Sequence, residues 1–245
     1  MKKAFWLLLL LPFLSTAHAD NDARGPGKPG KKKDYLVTLE TPYGPMQLVL
    51  YDQTPKHKEN FIKLVDRRFY DSLLFHRVIQ NFMIQGGDPN SKNAKPGEPL
   101  GNGDVGYTVP AEIFPNLFHK KGSLAAARDN NPAKASSGCQ FYIVQGRVWP
   151  DDELQKQIER SRSRAPERVM SDAQKQTYKT LGGSPHLDGS YTVFGEVIHG
   201  LAVVDSIARQ PRSAQDRPVT DVRMRMTGAW VKKKKITKQY GYQYL

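Results

Sequence analysis

Residues 74–89, LFHRVIQNFMIQGGDP, constrain this chain more than any other stretch. Apolar and polar positions alternate imperfectly through Phe75, Arg77 and Ile79, and Phe82 to Gln85 form a second short run. Gly86, Gly87, Asp88 and Pro89 then break the chain. Short runs bounded by glycine and proline read as strands, so two strands are predicted here with one guanidinium among apolar neighbours. Folding does not need that arginine. It is either an edge residue lying over apolar surface with its head in water, or a donor held there for chemistry.

Strand alternation continues on both sides. Tyr35, Val37 and Leu39 point one way, Tyr43-Gly44-Pro45 turns the chain, and Met46, Leu48 and Leu50 resume the pattern. That predicts a β-hairpin. Thr54 as N-cap and Pro55 at the first helical position open a helix striped by Phe61, Leu64, Val65 and Phe69. A glycine- and proline-rich surface loop follows to Gly106, and Thr108 begins the return. The small-residue strand from Gly122 to Ala127 suits either a groove wall or tight packing. Further strands are expected from Cys139 to Val144, from Tyr191 to Val197, and through Val222, Met224 and Met226. Leu201, Val204, Ile207 and Ala208 mark a second helix. Residues 149–185 interrupt this pattern. Asp151, Asp152 and Glu153 at one end and Arg160, Arg162 and Arg164 at the other match a helix dipole, and Ser171 with Gln174 forms a capping box. An inserted helical hairpin is expected there.

The termini set the organisation. Lys2 and Lys3 precede an apolar run, and Ala17-His18-Ala19 offers a cleavage site. Residues 1–19 therefore read as a secretory signal peptide, with an exported mature chain from Asp20, in the periplasm if the source is Gram-negative. The run is too short for a stable membrane helix, and no cysteine near the cut could carry a lipid, so no transmembrane anchor is expected after cleavage. Residues 20–33 read as a flexible basic leader, 34–230 as one folded domain, and 231–245 as a basic tail projecting from it. Cys139 is the only cysteine, which rules out an intrachain disulfide and suits a small buried hydrophobe. A net charge of +13 could suggest nucleic acid, but export and the lack of interleaved aromatic and basic residues argue against it. The basic runs at 28–33 and 232–235 are either solvated or weakly attached to anionic envelope surfaces. His18, His57, His76, His119, His186 and His199 show no ligand spacing, so neither a metal nor a cofactor is expected.

Three blocks carry a resemblance. Phe75-His76-Arg77 followed by Phe82-Met83-Ile84-Gln85-Gly86-Gly87-Asp88 resembles the signature of the cyclophilin-type peptidyl-prolyl isomerases. Ser137-Gly138-Cys139-Gln140-Phe141-Tyr142-Ile143 is similar to that family's Gly-Ser-Gln-Phe-Phe-Ile strand. Leu187-Asp188-Gly189 through Val193-Phe194-Gly195 is similar to its Leu-Asp-Gly-x-x-x-Val-Phe-Gly segment. The resemblance covers about residues 35–229 and implies a β-dominated fold: a closed eight-stranded antiparallel barrel of cyclophilin type with two capping helices. On that fold the 149–185 insertion is either a rim or lid beside the groove or a neutral addition.

The resemblance also implies a mechanism. X-Pro bonds interconvert over tens to hundreds of seconds because rotation breaks amide resonance. At the twisted state the prolyl nitrogen can accept a hydrogen bond, and a fixed guanidinium there stabilises that state above either planar isomer. Arg77 takes this role, and Phe82, Met83 and Leu187 match the slot for the ring. Gln85 matches the residue that binds substrate backbone and orients the arginine. Four positions depart from the family. Tyr142 stands for phenylalanine, so its hydroxyl needs solvent or a partner; Tyr191 replaces histidine but can still donate. His186 replaces tryptophan and leaves a less apolar wall, and Arg128 replaces an asparagine that contacts substrate through its backbone. The expected partners are proline-containing unfolded or extended polypeptides, bound by a monomer. The competing reading is a non-catalytic peptide-binding or chaperone module using the same groove.

Overall fold

The structure, a computed structural model, describes residues 32–244. The expected signal peptide and nearly all of the expected leader lie outside the described residues. Strands β1 (Lys33–Thr41) and β2 (Gly44–Leu50) form the predicted hairpin, with Thr41 opposite Gly44. Gly44 has φ +117°, which explains the glycine at the turn. Helix α1 (Pro55–Asp66) is followed by β3 (Arg77–Ile79), β4 (Met83–Gly86), β5 (Thr108–Val109), β6 (Ser123–Ala126), β7 (Ser136–Ser137) and β8 (Phe141–Val144). Then come α2 (Asp151–Arg162), α3 (Asp172–Thr180), β9 (Val193–His199), α4 (Leu201–Ala208), β10 (Arg225–Lys232) and α5 (Lys233–Tyr240). Among the described residues no helix is long and apolar enough to cross a membrane.

Eight strands make one antiparallel sheet in the order β10-β1-β2-β9-β6-β8-β4-β3, and β5 pairs β7 separately. One face of the large sheet carries Val37, Leu39, Met46, Leu48, Ile84, Leu124 and Ile143 into the main core. Helix α1 adds Phe61, Leu64 and Val65, and α4 adds Val203, Val204, Ile207 and Ala208. Phe61 sits 5.1–5.7 Å from the rings of Tyr70, Phe141 and Phe194. Its burial alone contributes about 1.5–3 kcal/mol.

The expected closed barrel is not formed as a continuous ladder. The end strands β3 and β10 do not pair; the segments just before them meet at the bridge between Leu74 and Arg223. Phe75 N donates to Val222 O at 2.9 Å and Met224 N to Leu73 O at 2.8 Å. Along β3 itself the 211–221 loop takes the place of a strand. Val78 N donates to Asp216 O at 2.9 Å, and the Arg212 guanidinium donates to Val78 O at 3.1 Å.

Two further expectations change. Thr54 precedes α1 but makes no side-chain cap; the Glu112 carboxylate accepts from Lys56 N and His57 N at 3.1 and 3.0 Å instead. The chain beyond residue 231 does not project. It forms α5, buries Ile236 completely, and turns at Gly241 (φ +70°), so that Tyr242 and Tyr244 return to line a hollow with Asp34, Asp52 and Glu196. The inserted hairpin is present, with the capping box of Ser171 and Gln174 intact. It has its own small core of Leu154, Ile158, Met170 and Tyr178, against Phe118 and Trp149.

Candidate active site

Pairing across the sheet aligns one row of residues. Arg77 on β3 is opposite Gln85 on β4, Gln85 opposite Tyr142 on β8, Tyr142 opposite Ala125 on β6, and Ala125 opposite Val193 on β9. Directly opposed side chains share a face, so this row lies away from the main core, whose residues Val78, Ile84, Ile143 and Leu124 occupy the alternate positions. Met83, Tyr142, Val144, Leu187 and Val193 pack there into a second apolar cluster, with Phe82 and Tyr191 at its margin.

Above this cluster opens a groove of about 200 Å³ lined by Arg77, Phe82, Met83, Gln85, Ala127, Arg128, Tyr142, Leu187 and Tyr191. The fold thus brings together all but one of the nine site residues expected from sequence. His186 stands outside the lining. It lies in a 3₁₀ turn, Pro185–Leu187, with its ring 5.5 Å from that of Phe82, so it backs the wall instead of forming it. Burial, and next the charge of Arg160, push its pKa down to about 4, which keeps the ring neutral at ordinary pH. Ala127 is a lining residue that was not singled out, although the run of alanines was read as a possible wall.

Arg77 is aimed by a chain of amides. Its NH1 donates to Gln85 Oε1 at 3.4 Å, Gln85 Nε2 donates to Gln140 Oε1 at 3.1 Å, and Gln140 Nε2 donates to the carbonyls of Gly101 and Gly103, each at 2.8 Å. On the other side Nε lies 3.6 Å from Asp216 Oδ2. The side chain is 42 % exposed, so this ion pair is solvent-screened and acts mainly on orientation. Gln140 and Asp216 are supports that sequence reasoning missed. The Gln140 position fell inside a recognised block, whereas nothing local marks Asp216.

Tyr142 finds its partner beneath the groove. Its hydroxyl lies 2.9 Å from His119 Nε2, and His119 Nδ1 lies 2.8 Å from Asp188 Oδ1. In the tautomer whose Nδ1–H donates to the carboxylate, Nε2 accepts from the tyrosine. Asp188 is fully buried and also accepts from the Tyr178 hydroxyl at 2.8 Å and from His119 N at 2.9 Å, with the Arg168 guanidinium at 3.4 Å. Burial, then the neighbouring Tyr191 and Asp188, raise the Tyr142 pKa well above that of an ordinary phenol, so it remains a donor. Tyr191 carries the Arg128 guanidinium 4.7 Å from its ring centroid. Arg128 Nε donates to Ser190 O at 2.9 Å, which fixes the rim.

The arrangement can hold an apolar ring on Met83, Phe82 and Leu187 while one positioned cation faces it. No nucleophile stands in the groove; Cys139 is buried, and burial raises its thiol pKa to about 11. Comparison with known proteins agrees with this chemistry. Residues 36–229 match the family described as "Cyclophilin type peptidyl-prolyl cis-trans isomerase/CLD". A Staphylococcus haemolyticus protein bearing the name of a peptidyl-prolyl cis-trans isomerase is 36% identical over 187 residues, 76% of this chain and 86% of its own. A Streptococcus pyogenes protein named for both phosphatase and isomerase activities is 36% identical over 190 residues, 76% of this chain but only 37% of its own. Among solved structures, a cyclophilin-type isomerase of Cryptosporidium parvum has a TM-score of 0.56 at 23% identity, covering 80% of this chain and 98% of its own. That protein has also been solved in the presence of the dipeptide Ala-Pro. The chain belongs to the cyclophilin-type peptidyl-prolyl cis-trans isomerase family.

Proposed function

We propose that this chain accelerates cis-trans exchange of X-Pro bonds in extended polypeptides, with Arg77 as the catalytic donor and the groove residues as the ring and backbone site. One observation carries the reading: a guanidinium oriented by Gln85 and Asp216 at the edge of an apolar slot. Exchange needs no bond making or breaking, only a transition state bound more tightly than either planar isomer. An N–H placed where the pyramidal prolyl nitrogen appears meets that need, and arginine keeps its charge at any ordinary pH. Loss of one such donor costs about 3 kcal/mol, on the order of a hundredfold in rate. NMR exchange measurements on a short proline peptide test this. Arg77→Ala should remove most of the acceleration while the protein stays folded; an unchanged rate would leave the groove a binding site only.

The same reading has the enzyme act on exported proteins during folding, where X-Pro exchange is slow beside the other elementary steps. The N-terminal Lys2, Lys3 and following apolar run support export. Recovery of a chain beginning near Asp20 in a periplasmic fraction is the expected result, and full-length protein held in the cytoplasm would overturn it.

A further inference from the structure

Beside the proline groove lies a second hollow of about 420 Å³, lined by Arg128, Asn130, Lys134, Arg164, Ser190 and Tyr191. Arg128 and Tyr191 line both, so the two adjoin. The three cations come from separate parts of the chain: the end of the β6 segment, the loop before β7, and the turn after α2 in the inserted hairpin. No carboxylate lines the hollow. Its cations bond only neutral oxygens. Arg128 donates to Ser190 O and Asp129 O, each at 2.9 Å, and Lys134 Nζ donates to Gly189 O at 2.9 Å and Arg164 O at 3.4 Å. Nearby cations are treated differently: Arg77 faces Asp216, Arg168 faces Asp188, and Arg147 faces Glu153. Of the neighbouring carboxylates, Asp188 bonds His119 and Tyr178, and the exposed Asp129 lines a different hollow.

A second observation points the same way. Ser190, one of the lining residues, is buried, and its hydroxyl has no hydrogen-bond partner among the described residues. Three cations that make no ion pair among the described residues, with a buried unpartnered hydroxyl beside them, describe a site for an anion. The positive field extends to His186, where Arg160 and Arg164 oppose protonation of a ring already disfavoured by burial.

We infer that this hollow is a subsite for an acidic side chain of the polypeptide whose proline occupies the groove, so that the enzyme prefers substrates with Asp or Glu near the proline. The shared residues Arg128 and Tyr191 set the range. An extended chain advances about 3.3–3.6 Å per residue, so an acidic residue within about three positions of the proline can reach. The inserted hairpin then acts through one charge, Arg164, instead of covering the groove.

The inference rests on the isomerase reading of the groove, and the experiment separates the two. Paired peptides carry Glu or Gln at each position up to three residues from a single proline, and exchange is measured by NMR at low and high salt. Gln peptides report the basal isomerase alone. At one position or more the Glu peptide should exchange faster than its Gln twin, by about fivefold as befits a partly exposed ion pair. Salt should erase the difference. Arg164→Gln, whose side chain is exposed and makes no hydrogen bond among the described residues, should remove most of the preference and leave Gln-peptide exchange unchanged. Arg164→Glu should turn the preference toward a Lys peptide. Equal exchange of Glu and Gln peptides at every position would overturn the inference, as would a preference that survives both Arg164→Gln and Lys134→Gln. If Gln peptides show no catalysed exchange, the isomerase reading fails instead. Chemical-shift titration with the same peptides then decides the subsite: tighter binding of Glu peptides, lost in Arg164→Gln, supports it, and equal binding overturns it.

Discussion

Tyr142 joins the groove to the buried charge system beneath it. Its ring is part of the slot, while its hydroxyl satisfies His119 Nε2, which is sealed from water. Tyr142→Phe keeps the ring and removes only that bond, leaving an unpaired polar atom in the interior. We expect a stability loss of about 1–3 kcal/mol in urea unfolding. Exchange catalysis should suffer far less than in Arg77→Ala, because the hydroxyl points away from the reacting bond. Equal stability of the two proteins would show that water reaches His119. The sequence made clear that this hydroxyl needed a partner but not which one. His119 becomes a neighbour only because Lys121 N donates to Gly182 O and Ser184 N to His119 O, contacts made across more than sixty residues. Arg77, Gln85 and the slot residues were legible because they sit within short contiguous blocks, whereas Asp216 reaches Arg77 through a loop with no local mark.

The inserted helices, taken as an element, are more than a decoration of the rim. Tyr178 and Arg168 supply two of the groups that compensate the buried Asp188 carboxylate, and Trp149 and Phe118 close over Leu154 and Ile158. Replacing residues 149–185 by a short turn would strip those groups away and leave Asp188 with His119. Removing partners from a buried charge costs about 3–5 kcal/mol, so the shortened protein should unfold at clearly lower urea. Adding Asp188→Asn to the shortened chain should recover part of the loss, since it removes the stranded charge. Failure of that rescue would place the cost in packing alone. The capping box on α3 was readable because its two residues are three apart, and the helix dipole of α2 because its acidic and basic residues gather at opposite ends. The cap on α1 was not readable. Glu112 serves it from more than fifty residues away, so Thr54 was the only local candidate.

For the whole molecule, acid is the natural stress. His57, His76 and His186 are held below their usual pKa chiefly by burial, His76 and His186 to about 4. The unfolded chain protonates such groups near 6.5, so between about 6.5 and 4 it binds more protons than the folded one. Stability is therefore full above 6.5 and falls as pH drops toward 4. His76, only 3% exposed, accounts for on the order of 3 kcal/mol of that fall. Urea midpoints measured from pH 7 to 4 should decline, and His76→Leu should flatten the decline; a variant with the same slope would clear His76 of the effect. At this scale the sequence was least informative. Residues 231–245 read as a projecting tail, yet α5 docks with Ile236 fully buried and Tyr240 against His199. Barrel closure was expected from the family, while the loop holding Asp216 occupies the edge of β3. The pairing of β1 with β10 has a mechanical meaning. Lys33 lies opposite Lys232 at one end of an antiparallel ladder of eight paired positions. Tension between the two ends of the domain, once α5 has been pulled out, would break that ladder one rung at a time, as a zipper opens, and not all rungs together. Each rung holds by about 0.5–1.5 kcal/mol, so a chain stretched from both ends parts first along this seam, at low force, while the strands bearing Arg77, Gln85 and Tyr142 are still unloaded.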